Sequence, residues 1–541
     1  MGFKFKKDAD IGRIDAEFDQ KFLKKCFIDT GYLEIAMNTQ DQRMFVLGRT
    51  GTGKTAMLQE VSRKKPKNVI IISPESLALQ YISNNNIISF FEDIGVRLEP
   101  FYKLLWKQIF VLELIKECKH IHNEEEKTLF FQDLKRIFKK DKRKQKPFEY
   151  FEKCEDDFWQ ATEYRTKEIT NKFEAELTAA AGIDIKKIAE LKASGSLSFS
   201  KEEKAELIQR GQKVVNDVPL REINEIMEIL SEDILTDEQK PFYILVDKLD
   251  EDWVDNKIRY KLIKAMLEAA KDFSKIKNAK VLISLRKDLM DRVFKLTRGS
   301  GHQQEKYDDL CLKIRWSEKE IIELLDERVD TLVNEQYTNR KVYFRDILPK
   351  SLGKEGKPEV YILERTFLRP RNAIAFVNCC IALCTDQPKI TATVIKKAEV
   401  TYSRDRFRSI GDEWQSDYPN LLDFASAFLK TKPDHFKIDI YDKDSVLDLI
   451  VSLYENGQLG TGLGVEAKKF IDCDIDYIDL LKYLFTVFYK VGFIGLKLDP
   501  SHEAQYSYKD DPNINPNNID ENTLIYIHKA FCNILGVIKK K

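Results

Sequence analysis

Chemistry is densest in eight residues, GRTGTGKT, running from Gly48 through Arg49, Thr50, Gly51, Thr52, Gly53 and Lys54 to Thr55. They satisfy the pattern G-x-x-x-x-G-K-[ST], with an apolar run, Met44 to Leu47, before them and a helix-forming stretch, TAMLQEVSRK, after them. Glycines let the main chain curl so that several N–H groups converge on phosphate oxygens. A helix starting at Lys54, Thr55 and Ala56 adds its positive end to the same place. The Lys54 ammonium is suited to charge on the outer phosphates, and the Thr55 hydroxyl to a magnesium ion.

A nucleotide site of this kind needs a carboxylate at the end of a neighbouring buried strand. FYILVDKLDE supplies one: four apolar residues precede Asp247, and Asp250 and Glu251 follow at the strand's mouth. Asp247 is expected to hold magnesium through its water shell, and Asp250 or Glu251 to orient or deprotonate an attacking water. Asp252 and Asp255 read as solvated loop carboxylates. The letters DKLD (247–250) differ from a guanine-reading N-K-x-D at the first position, and no glycine follows an aspartate at the D-x-x-G spacing. ATP with Mg2+ is therefore the expected cofactor pair.

These residues require a scaffold. The order strand, glycine loop, helix, strand (NVIIISP, 68–74) opens a parallel α/β domain. The pattern resumes with the strands PFYILVD (241–247) and KVLISL (280–285), separated by a helix whose apolar face is Ile258, Leu262, Met266, Ala270 and Phe273. Ahead of the loop, Ile14, Phe18, Phe22 and Cys26 recur at helical spacing and predict one continuous apolar helix face. Residues 100–240 form a charged, mostly helical stretch far longer than an ordinary crossover, with a break at ASGSLSFS (193–200). By its composition TRGSGHQQ (297–304) is read as a loop tip. Ser317 and Glu320 stand at capping-box spacing before Ile321, Leu325 and Val329. Near the end, the helix YIDLLKYLFTVF (477–488) leads into two alternating runs, 492–510, which predict a β-hairpin and the outline of a winged-helix domain.

At 541 residues and formal net charge +0 the chain has room for three or four domains. Its 43% apolar and 33% charged composition predicts a globular protein. Balanced charge excludes binding of nucleic acid or anionic membrane through bulk charge, leaving only local patches. No run reaches the roughly 18 apolar residues of a membrane span, so no membrane partner is expected. Nine scattered cysteines without paired ligand spacing suit a reducing cytoplasm.

The strand ending in D-x-x-D-E, taken with the glycine loop, resembles the STAND and KAP-type branches of bacterial P-loop ATPases. ISLRKD (283–288) is similar to their next strand, whose terminal arginine lies near the outermost phosphate; that position is Arg286. KIRWSEKEIIELLDERV (313–329) resembles the start of their helical lid, and FLRPRNAIAFVN (367–378) the segment that closes on the nucleotide, with Arg371 after Pro370. The segments IGRIDAEFDQKFLKKCFIDTGYLEI and YSRDRFRSIGDEW (402–414) share the likeness, whereas the insertion does not.

The resemblance implies a P-loop NTPase parallel sheet with a long helical insertion, a helical lid and a C-terminal winged-helix-like domain. The corresponding boundaries are 1–99 with 241–306 for the α/β core, 100–240, 307–414 and 415–541. It implies a slow, regulated ATPase acting as a switch, a homo-oligomer whose assembly or separate effector or sensor partner follows the nucleotide, and a place in anti-phage defence. Glu251 or Asp250 and Arg286 are the expected catalytic groups, Gly48–Ala56 and Arg371 the nucleotide-binding ones, Thr55 and Asp247 the metal-binding ones. The alternative is a DNA-repair or motor ATPase stimulated by nucleic acid. The basic run 135–146, eight cations to one acid, and the C-terminal domain are its candidate contacts. Cys379, Cys380 and Cys384 read as core packing, and His120 and His122 as solvated.

Overall fold

Five short apolar segments pair in parallel: β1 (Phe45–Gly48), β2 (Val69–Ile72), β3 (Phe242–Val246), β4 (Ala279–Arg286) and β5 (Cys311–Lys313), in the spatial order β2-β3-β4-β1-β5. β4 is buried along seven of its eight positions, as a central parallel strand covered on both faces must be. The edge strand β2 instead alternates, with Ile70 and Ile72 inward and Ile71 70% exposed. The computed structural model describes residues 3–76, 82, 85–138, 149, 152–153, 155, 158–181, 200–297, 305–334, 341–509 and 514–539. The breaks foreseen at 193–199 and 298–304 and most of the basic run, 139–146, lie outside them.

The chain divides into a sheet unit (Asp29–Arg49 and Lys54–Ile314) and a helical unit (Met1–Ile28, Thr50–Gly53 and Arg315–Lys541). In the sheet unit the helix Lys54–Lys64 leaves the glycine loop, burying Met57, Leu58 and Val61. The helix Glu99–Lys119 packs along Asn256–Phe273 and is buried over most of its faces between Phe101 and Ile115, because it is covered on several sides. Its Trp106 and Phe110, together with Phe173 and Ile223, belong to the same hydrophobic core as Ile244 and Ile283 of the sheet. The helices of the 100–240 segment therefore share a core with the strands they interrupt. Lys280 on β4 anchors the short helix Tyr32–Met37 and its end by donating to the Ile35 and Asn38 carbonyls at 2.8 and 2.7 Å. Burial pulls that lysine's pKa down to about 8.

In the helical unit, Ser317 and Glu320 form the foreseen reciprocal cap, the Glu320 N–H donating to Ser317 Oγ at 3.2 Å and the Ser317 N–H to Glu320 Oε2 at 2.6 Å. The helix Glu318–Asn334 follows, then Pro358–Leu363, Pro370–Ala382 and Ala392–Trp414. Cys380 and Cys384 are buried among these helices, with Cys379 packed beside them. Past residue 420, β6 (His435–Phe436), β7 (Ile494–Lys497) and β8 (Leu524–Ile527) form an antiparallel sheet in the order β6-β8-β7. Helices Lys443–Glu455, Leu463–Ile471 and Tyr477–Val491 lie between β6 and β7 in sequence. The last of these buries Leu480, Leu481, Leu484, Phe485 and Phe488, each contributing about 1.5–3 kcal/mol of apolar burial.

Two expectations are corrected. The apolar face foreseen from Ile14 to Cys26 is helical only over Gln20–Lys25, and Ile14 and Phe18 are 43% and 77% exposed. Asp19 is the reason: its Oδ1 accepts the Arg13 N–H at 2.7 Å and its Oδ2 pairs with buried Arg328, which fixes a non-helical turn before residue 20. The hairpin foreseen within 492–510 is also different. β7 pairs with β8, far along the chain, and Gln505 makes only an isolated bridge to Leu496. Among the described residues no helix is long and apolar enough to cross a membrane.

Candidate functional site

Parallel strands deliver their C-terminal residues to one edge of a sheet, and ligands bind there where the strand order reverses. In this sheet the reversal is at β1: β4 pairs on one side of it and β5 on the other. Gly48, the last residue of β1, lies opposite Arg286, the last of β4. Val246 of β3 pairs with Ile283, so Asp247 follows at a lower level of the same edge.

Thr55 Oγ1 donates to Asp247 Oδ2 at 2.8 Å. Two motifs 192 residues apart are thereby joined within the sheet unit. Lys54 turns its ammonium back over the start of its own loop, 3.2 Å from the Gly48 carbonyl oxygen and 3.1 Å from that of Arg49. A hydroxyl and a carboxylate in contact, beside an ammonium, suit a hard cation and an anion held together.

Beyond Asp247 the chain turns sharply. Lys248 takes a positive φ of 63°, Leu249 is buried, and Trp253 Nε1 donates to the Leu249 carbonyl at 3.2 Å. This leaves Asp250 and Glu251 exposed on the strand's mouth. The Glu251 carboxyl is held above the ordinary glutamate range, first by desolvation and then by Glu75 and Asp250, against the opposing pull of Lys248. Glu75 follows β2, so a third strand end contributes acid here. Its position after NVIIISP matches that of Asp250 and Glu251 after their own strand, the signal that sequence reading passed over. Asp252 instead pairs with buried Arg259 at 2.8 Å, a structural role.

Arg286 stands at the same edge. Its Nε and Nη2 donate to Asp288 at 3.1 and 2.8 Å, and its Nη1 to Asp250 at 3.4 Å. Asp288, unnoticed in the sequence, thus orients the guanidinium as a fork.

The tip of the glycine loop, Thr50–Gly53, clusters with the helical unit. Gly51 and Gly53 both have positive φ, 78° and 92°, conformations that L side chains rarely adopt. At Gly51 an added Cβ would also stand 2.7 Å from Arg371 Cβ. The Arg371 main-chain N–H donates to the Gly51 carbonyl at 3.3 Å, while its guanidinium is spent on Asp15 and on the Ile14 carbonyl. Arg369 Nη1 donates to the Thr50 carbonyl at 3.3 Å, and Trp316 Nε1 to that of Thr52 at 2.9 Å. Neither role is visible in sequence, because both depend on tertiary proximity.

Among the described residues there is no cluster of three or more His, Cys, Asp or Glu side chains able to hold a metal ion by themselves. His120 and His122 are exposed in the helical stretch.

Comparison with known proteins adds two matches. Residues 319–411 match the FunZ-associated C-terminal helical domain. Over 539 residues the chain is 21% identical to a protein of Escherichia coli K12 described as a putative transposon gamma-delta 80.3 kDa protein. That alignment takes in 97% of this chain and 66% of the relative, so the chain spans less than two thirds of the relative's length.

Proposed function

We propose that this chain is a magnesium-dependent ATPase of the P-loop type, slow and regulated, whose nucleotide cycle switches its self-assembly or a separate effector or sensor partner. The observation that carries the reading is the 2.8 Å hydrogen bond from Thr55 to Asp247. A loop with the residue types and the two positive-φ glycines of a phosphate cradle meets an acid at the end of a buried strand. Chance glycine turns have no reason to acquire that partner.

The residues fit the cofactors. Magnesium keeps several waters and takes one or two protein ligands besides phosphate oxygens, so Thr55 with Asp247 suffices without a three-carboxylate cage. Bound magnesium and triphosphate would supply the electrophilic phosphorus and neutralise its oxygens. Gly48–Ala56 provide main-chain amides and a helix start for the phosphates. Lys54, now resting on two carbonyls, has a short reach to an anion and better charge complementarity there. Asp250 or Glu251 accepts the proton of an attacking water; the raised pKa of Glu251 suits a base. Arg286, steadied by Asp288, offers positive charge as the transferring group builds negative charge.

The helical elements from 307 to 414 act as the lid in this reading. The β6-β8-β7 sheet with its intervening helices supports reading the C-terminal region as winged-helix-like. The resemblance also supports a cytoplasmic, homo-oligomeric switch in anti-phage defence. One observation favours keeping nucleic acid as the alternative stimulus: the Escherichia coli relative is described as a transposon protein. Phosphate release from ATP, measured with magnesium or with chelator and with or without duplex or single-stranded DNA, tests both readings. Magnesium-dependent release unaffected by nucleic acid supports the protein switch. DNA stimulation that fades steeply with salt supports the alternative, and no release under any condition contradicts the hydrolytic role.

A further inference from the structure

Three successive carbonyls of the loop tip are held by three donors of the same helical unit. The Thr50 oxygen accepts from Arg369 Nη1 at 3.3 Å, the Gly51 oxygen from the Arg371 N–H at 3.3 Å, and the Thr52 oxygen from Trp316 Nε1 at 2.9 Å. Across a trans peptide the C=O of one residue and the N–H of the next point in opposite directions, and the described chain has no cis peptide bond. Fixing the oxygens of Thr50, Gly51 and Thr52 therefore turns the N–H groups of Gly51, Thr52 and Gly53 away from those donors. A loop built to bind anions through its amides needs that orientation before the anion arrives.

The donors are themselves firmly set. Arg369 is only 3% exposed, its charge is met by Glu413 at 3.2 Å, and its Nε and Nη2 have no hydrogen-bond partner among the described residues. A guanidinium left with two buried N–H groups unsatisfied carries a desolvation cost. Its one bond to the loop is thus not a by-product of a well-satisfied ion pair. The Trp316 ring also lies 3.9 Å from where a Gly53 side chain would begin, so it packs on the loop as well as donating to it.

We propose that Trp316 and Arg369 are positioning residues that preset the amides of Gly51, Thr52 and Gly53 for a polyphosphate, independently of the base and sugar attached to it. This rests on the phosphate-loop reading above and names how that loop is held.

The test is calorimetric titration of the whole chain with magnesium and either ATP or inorganic tripolyphosphate, using wild type, Trp316→Phe, Arg369→Lys and Lys54→Ala. Trp316→Phe keeps an aromatic ring and removes one N–H donor. Arg369→Lys keeps the charge opposite Glu413 and removes the fork. Each is expected to weaken binding about five- to tenfold, by the same factor for ATP and for tripolyphosphate, measured at a temperature where each variant is fully folded. Tryptophan emission of the wild type is expected to change on tripolyphosphate addition, and the change to vanish in Trp316→Phe. Weakening confined to ATP would show that Trp316 serves the nucleoside instead, and wild-type affinity in both variants would remove the positioning role. If those two bind normally while Lys54→Ala does not, only this inference fails; if Lys54→Ala also binds normally, the phosphate-loop reading fails with it.

Discussion

The two units handle charge in contrasting ways. In the sheet unit the ionisable side chains of the candidate site stand at strand ends and at the start of the helix after the loop, from exposed Asp250 and Glu251 to half-buried Lys54 and to Arg286, which pairs with Asp288 and Asp250. In the helical unit the strongest pairs are sealed inside. Arg328 and Asp19 are each 3% exposed at the side chain, and Arg365 with Glu399 are 6% and 8%. His528 is fully enclosed, stacked 4.1 Å from Phe367. Buried pairs of this kind set geometry and are expensive to break. Charge at an open strand end contributes little to stability, and it is at such ends that ligands bind. Location relative to the core, more than charge count, separates chemistry from architecture in this chain.

Substitutions on the two sides should therefore fail differently. Arg328→Met leaves the Asp19 carboxylate buried without its partner, and thermal or denaturant unfolding should show a loss of about 3–5 kcal/mol. Stability unchanged by that variant would mean the pair is not buried in solution. Glu251→Gln should do the reverse: melting unchanged and ATP binding retained, but turnover reduced about 10²-fold or more. The wild-type rate should rise with pH through a value above the ordinary glutamate value, because partial desolvation and the neighbouring acids Glu75 and Asp250 hold the Glu251 proton. A Glu251→Gln enzyme as fast as wild type would move the base to Asp250.

A subtler contrast lies in pH. Burial, reinforced by Arg365 and Arg369, lowers the His528 pKa from 6.5 to about 3. Below 6.5 the unfolded chain takes up a proton that the native helical unit refuses, so stability falls as pH drops from 6.5 toward 3. The slope approaches roughly 1.4 kcal/mol per pH unit. His528→Asn should flatten that slope between pH 6.5 and 5, whatever it does to stability at neutral pH. An unaltered slope would show that the histidine is protonated in the native state. The smallest effect expected is at the helix cap. Ser317→Ala should cost about 1 kcal/mol, and no measurable loss would indicate that Glu320 alone satisfies the helix start.

Legibility in the sequence followed the same divide. β1 to β4 could be read because each is a dense apolar run, and the glycine loop because its residue types have few other uses. β5 went unseen because Cys311–Lys313 offers only three residues, too few to show a period. The N-terminal helix was overextended because spacing cannot reveal that Asp19 is claimed by Arg328, 309 residues away. The hairpin was misplaced since alternation identifies strands but not their partners, and β7 found β8 beyond a long intervening segment. Asp247 was visible at the end of its strand. Arg369 was legible as a candidate arginine beside Arg371, but its acceptor was not, and Trp316 gave no sign, since nothing in their local sequence announces a carbonyl of the loop as the acceptor.

The central claim, a triphosphate held by the loop and the acid opposite Thr55, is tested most directly by calorimetric titration of ATP and magnesium into wild type and Lys54→Ala. The account predicts saturable, magnesium-dependent binding by the wild type and its loss, by at least about a hundredfold, in the variant. Equal affinity in the two proteins would contradict it.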